Sequence, residues 1–153
     1  MNKTLKVILW IILGLGLIQL IPVDRTNPPV EAKTDFVKIE HAPEKVTQLL
    51  KTACYDCHSY ETRYPNYAYI APLSWSIKSH INDGRRYLNF SVWETYNPYL
   101  KQGAIEHTIE TIKNGSMPLP SYINFHPEAQ LTPKEKQLLI DFFQKKLDSL
   151  TQK

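Results

Sequence analysis

Five consecutive residues, Cys54-Tyr55-Asp56-Cys57-His58, have the types and spacing to do chemistry, and their two cysteines are the only ones in the 153-residue chain. C-x-x-C-H is the attachment signature of a c-type haem. Residues three and four apart share one face of a helix. Cys54, Cys57 and His58 therefore present two sulfurs and an imidazole to the same side. The sulfurs can form thioethers to the two vinyl groups of the porphyrin edge, and His58 can give the iron a nitrogen as proximal ligand. Three other readings use the same residues. A thioredoxin-like dithiol needs a βαβ pattern around it, and none is visible. A zinc site needs four nitrogen or sulfur ligands, so two histidines would have to join the cysteines. A structural disulfide would close only a tiny loop and add little stability.

A haem iron held by His58 has a sixth position to fill or leave open. Met117 is the candidate, in the proline-stiffened loop Ser116-Met117-Pro118-Leu119-Pro120. His/Met ligation is the electron-carrier arrangement. The competing reading is a methionine that only fills the core. His80, on a predicted helix with Trp75, is the rival distal ligand. His41, His107 and His126 lack a comparable setting.

Helices must position these residues. Pro43 suits a first helical position, and Val46, Leu49, Leu50 and Ala53 recur at helical spacing. Together they predict a first domain helix over residues 43–58. Residues 59–69, with Tyr60, Tyr64, Tyr67 and Tyr69 around Pro65-Asn66, read as irregular. A second helix starts at Pro72, carries Trp75, Ile77, His80 and Ile81, and ends near Gly84. Ser91-Val92-Trp93-Glu94 has the form of a capping box for a short helix. Pro98 to Lys113 reads as a third main helix, with Ile105, Ile109 and Ile112 on one face and Asn114-Gly115 as its stop. Thr132-Pro133-Lys134-Glu135 caps a last helix whose Leu138, Leu139, Phe142, Phe143 and Leu147 form an apolar stripe. No internal repeat is visible. The five glycines and the scarcity of alternating β-branched runs argue against a β sandwich.

Leu5 to Ile21 is nearly continuous apolar sequence, broken by Lys6, Gln19 and two glycines, with Lys3 ahead and Asp24-Arg25 behind. About 17 residues is the short end of a membrane span. A cleaved secretory signal has the same charged start and apolar middle. The end of the run, Gln19-Leu20-Ile21-Pro22-Val23-Asp24, offers no small-residue cleavage site, and no cysteine lies nearby for lipid attachment. The reading is an uncleaved N-terminal transmembrane helix over residues 1–22. A polar linker with Asn27-Pro28-Pro29 follows over 23–42, and the haem-binding domain occupies 43–150. The positive-inside rule keeps Lys3 and Lys6 in the cytoplasm. The domain then lies on the periplasmic side of the inner membrane, where c-type haem is attached. The formal charge of +3, carried by scattered lysines, is too small to argue for nucleic acid.

Several blocks share a pattern: Cys54-Tyr55-Asp56-Cys57-His58, Ile70-Ala71-Pro72-Leu73-Ser74-Trp75, His80, Gly84-Arg85, Leu88-Asn89-Phe90-Ser91, Trp93, Met117-Pro118, Tyr122 and His126. Over about residues 35–150 the chain resembles the bacterial haem-binding domain family, small and often membrane-anchored c-type haem proteins. The resemblance implies Cys54, Cys57 and His58 as haem-binding residues. The chain is also similar to small cytochromes c in its first domain helix, its loop Gly115-Ser116-Met117-Pro118 and its final helix. It differs from them in the block from Tyr60 to Tyr99. The expected fold is mainly α, a small cytochrome c-like helical domain around one covalent haem c. The expected function is one-electron transfer to a redox partner protein. Two other classes stay open. One is a peroxidase-like haem enzyme with an open or displaceable sixth position, where His80 and Arg85 would act as distal groups. The other is a haem-binding sensor module.

Overall fold

Apolar residues three and four apart set the helices of this chain. The computed structural model describes residues 2–151 and shows no strand among them. Met1, part of the expected anchor, lies outside the described residues. The apolar N-terminal run forms α1, Lys3–Ile18. A short α2, Phe36–Ile39, precedes α3, Glu44–Ala53, and α4, Tyr55–His58. A 3-10 turn at Asn66–Tyr69 leads into α5, Leu73–Tyr87. A second 3-10 segment, Phe90–Thr95, precedes α6, Pro98–Lys113. Then come α7, Pro120–Ile123, a 3-10 turn at Pro127–Ala129, and the long α8, Pro133–Thr151.

An aromatic cluster organises the core. Phe36 is fully buried, and its ring meets Phe90 at 5.1 Å, Trp93 edge-on at 5.0 Å and Phe143 at 5.6 Å. Tyr55 stacks on Phe90 at 5.0 Å. These rings tie α2, α4, the Phe90–Thr95 segment and α8 together. Val46 and Leu50 of α3, Ile105, Ile109 and Ile112 of α6, and Leu139 of α8 fill the rest. Helix α6 runs over the expected residues, and Gly115 ends it at φ +75°, the left-handed region that favours glycine. The expected capping box opens α8. Glu135 N donates to Thr132 Oγ1 at 3.3 Å, and Thr132 N donates to Glu135 Oε2 at 3.1 Å. Leu139 and Phe143 are the buried part of its stripe, whereas Leu138 is exposed.

Other expectations are corrected. The helix expected over 43–58 breaks at Cys54, where φ is −129° and ψ is −41°, and α4 starts afresh. Helix α5 continues past Gly84 to Tyr87, because Gly84 serves packing rather than termination. The segment near Ser91 is capped by Asn89, whose side chain accepts from Ser91 N at 3.0 Å, and not by a Ser91–Glu94 box. Part of the expected linker belongs to the core. The apolar pair Phe36-Val37 is buried, and Thr34 Oγ1 donates to Ser91 O at 2.8 Å.

The expected transmembrane helix over 1–22 finds no support in the helix that forms there. Helix α1 has 16 residues, about 24 Å at 1.5 Å per residue, against about 30 Å of hydrocarbon. No helix among the described residues is long and apolar enough to cross a membrane. The regular α-helix stops before Gln19, three residues ahead of Pro22, which has no N–H to extend it. Truncating Phe36 to Ala should cost about 3–5 kcal/mol, the range for a buried aromatic, in chemical denaturation of the domain. A loss below about 1 kcal/mol would mean that α2 does not anchor the core.

Candidate haem site

The two halves of the C-x-x-C-H run are built differently. Cys54 N still donates to Leu50 O at 2.9 Å, so the first cysteine ends α3. Its carbonyl then accepts from Cys57 N at 3.2 Å and His58 N at 2.9 Å, which winds α4 into one turn. The two intervening residues are fastened from behind. Tyr55 lies in the aromatic core, with Ser59 Oγ donating to its carbonyl at 2.7 Å. The buried Asp56 carboxylate accepts from Tyr122 Oη at 2.7 Å, Arg63 N at 3.0 Å and Arg63 Nε at 3.2 Å. Burial and the bond to Asp56 push the Tyr122 phenol well above its ordinary range, so it stays a donor.

Helix α5 sets the depth of this turn. A Cβ on Gly84 would stand 2.7 Å from Cys57 O and 3.3 Å from Cys57 Cβ, so only glycine allows the approach. One turn further along, Leu88 O accepts from His58 Nδ1 at 3.0 Å. That bond places the proton on Nδ1 and leaves the Nε2 lone pair free for a metal. Burial lowers the His58 pKa, which keeps the ring neutral.

Cys54, Cys57, His58 and Met117 line a single cavity of about 250 Å³, walled by Leu88, Phe90, Ile112 and Leu131. Met117 reaches it because the chain folds back after α6: Ser116 N donates to Asn114 Oδ1 at 2.9 Å and Met117 N to Thr111 O at 3.1 Å. His80 lines the same cavity from α5. A second cavity of about 220 Å³ adjoins it, sharing Cys57, His80, Leu119 and Tyr122. Tyr64 lines this second space, and its buried hydroxyl has no hydrogen-bond partner. Two thiols, a nitrogen with a free lone pair, a soft thioether and apolar walls are a donor set that fits a haem.

The competing readings fare differently. Both cysteines are free thiols. Burial pushes Cys54 up to about 12 and Cys57 up to about 11, which disfavours the thiolate a reactive dithiol needs. No three His, Cys, Asp or Glu side chains among the described residues converge as a zinc site would need. Arg85, paired with His80 in the enzyme reading, points elsewhere: Nε donates to Ser59 O at 2.7 Å and Nη2 to Asn27 Oδ1 at 2.8 Å. His126 is held between Tyr67 at 2.9 Å and Glu128 at 3.2 Å, and it lines only the second cavity. His41 lies at a distant surface hollow beside α8.

Sequence reasoning missed three contributors: Gly84 as a spacer, the Leu88 carbonyl, and His107, which lines the main cavity from α6. For His107 a signal existed, since it precedes Thr111 by four residues on the helix that leads into the Met117 loop. A backbone carbonyl leaves no signal in residue types.

Compared with known families, residues 13–145 match the family model described as a haem-binding domain. The chain belongs to that family and is a haem-binding protein. No curated protein and no solved structure matches it. Gly84→Ala should force α5 and α4 apart and lower both thermal stability and haem content, read by scanning calorimetry and the haem-to-protein absorbance ratio. Unchanged values would show that the close approach is dispensable. Tyr122→Phe, which leaves Asp56 short of one donor, should cost about 1.5–3 kcal/mol in denaturant unfolding, the worth of a hydrogen bond to a charged group.

Proposed function

We propose that this chain carries one covalently attached haem c and transfers single electrons to a redox partner protein. The observation that carries the reading is the convergence of Cys54, Cys57, His58 and Met117 on one apolar cavity. Cys54 and Cys57 would hold the haem through thioethers. His58 Nε2 would be the proximal ligand and Met117 Sδ the distal one, with His80 as the rival. When bound, the haem supplies a one-electron iron couple.

The chain's own residues tune that couple. Leu88 O fixes the imidazole of His58 in one tautomer and one orientation and raises its basicity as a ligand. Met117 is a soft, weak ligand of the kind that raises the potential. Pro118 and Pro120 restrict the free loop, so less entropy is lost in holding the sulfur in place. The side chains of Leu88, Phe90, Ile112 and Leu131 give the site an apolar lining, which further biases the potential. The engagement of Arg85 away from the cavity favours a carrier over a peroxidase.

Helix α1 has every apolar side chain except the partly covered Ile18 exposed, which supports association with the inner membrane. The haem domain then belongs on the periplasmic side, the oxidising compartment suited to covalent haem attachment. The test is the spectrum of the oxidised protein. The expected result is a six-coordinate low-spin haem with a weak long-wavelength methionine-to-iron charge-transfer band. Met117→Ala should abolish the band and open the iron to cyanide or carbon monoxide. A high-spin wild type that turns over peroxide rapidly would contradict the carrier reading. A low-spin wild type whose iron is freed by His80→Ala instead would make His80 the distal ligand.

A further inference from the structure

We propose that the face of the haem domain around Tyr69, Ile70 and Leu73 lies on the lipid surface, so that the domain is seated on the bilayer rather than held away from it. The inference rests on the membrane association of α1 proposed above and extends it to the domain itself.

The end of α1 is fastened to this face. The Gln19 amide makes a two-way bond with Ala71: Nε2 donates to Ala71 O at 3.0 Å, and Ala71 N donates to Oε1 at 2.9 Å. Trp75 Nε1 donates to Ile21 O at 3.3 Å. Arg25 stands over the Tyr69 ring at 4.1 Å, with Nη1 at 3.5 Å from Ala68 O. The anchor therefore passes into the domain without a free spacer.

The surface at this junction is apolar. Leu20 is 76 % exposed and Ile21 59 %, and beside them Tyr69 is 59 %, Ile70 56 % and Leu73 47 % exposed. Water is an unfavourable neighbour for such a patch. A contiguous apolar patch of this kind on a soluble face marks an interaction site. Its continuity with α1 selects the occupant: whatever depth α1 takes in lipid, Tyr69 to Leu73 sit at its end. The composition suits that position, since Tyr and Trp are favoured at the headgroup level. Arg25 can keep its charge in the polar layer while its stem covers apolar surface.

The test uses the full-length haem-loaded chain in phosphatidylcholine–phosphatidylglycerol nanodiscs. A benzophenone amino acid is placed singly at Ile70, Leu73, Trp10 or Tyr99, and lipid adducts are read by mass spectrometry after illumination. Trp10 lies in the middle of α1 and reports anchoring alone, whereas Tyr99 is an exposed aromatic on the first turn of α6. The expected result is lipid adducts at Trp10, Ile70 and Leu73, with yields several-fold above Tyr99. Adducts at Trp10 with neither Ile70 nor Leu73 above Tyr99 would overturn the seating while leaving the anchor intact. No adduct at Trp10 would overturn the anchor and the seating together.

Discussion

The candidate haem site depends on one backbone contact, the passage of α5 against the carbonyl of Cys57 at Gly84. With 2.7 Å between a hypothetical Cβ and that oxygen, the contact admits no larger residue. Leu88, the extended residue that caps α5, offers its carbonyl to His58 Nδ1. The depth of the C-x-x-C-H turn and the orientation of its imidazole are thus set by α5 and the residue that ends it. The bond from Leu88 also fixes which ring nitrogen is free.

Core and site share a wall. Phe90 stacks on Tyr55 at 5.0 Å, packs against Phe36 at 5.1 Å, and faces the cavity beside His58. The x residues of the motif are therefore structural. Tyr55 is a core ring, and Asp56 is the acceptor that joins α4 to Tyr122 of α7 and to Arg63. Asp56 is buried, and the donors around it offset the cost of keeping a carboxylate from water. The end of α6 and Met117 line the same cavity after a chain reversal that Gly115 permits.

Much of this was legible in the residues. The spacing of Cys54, Cys57 and His58, the isoleucine face and length of α6, and the Thr132–Glu135 cap are local signals, and local hydrogen bonds or packing decide them. The break at Cys54 was not legible, because it arises from docking α4 on α5 rather than from any helix-breaking residue. Gly84 read as a stop because glycine ends helices often. Its actual role depends on a neighbour 27 positions away in the sequence. Phe36 and Val37 were hidden because Asn27-Pro28-Pro29 marks the segment as extended, although that signal ends well before the apolar pair. In α1, hydropathy gave the apolar character, while the bond of the Gln19 side chain to Ala71 was not legible, because its partner lies 52 positions away in the sequence.

The most direct measurement is the intact mass of the protein, produced with a cytochrome c maturation system and analysed under denaturing conditions. The expected mass is that of the polypeptide plus one haem. It should be lost when Cys54 and Cys57 are both replaced by alanine. A wild-type protein that carries haem in its native spectrum but shows only the bare polypeptide mass on denaturation would contradict covalent attachment at this site.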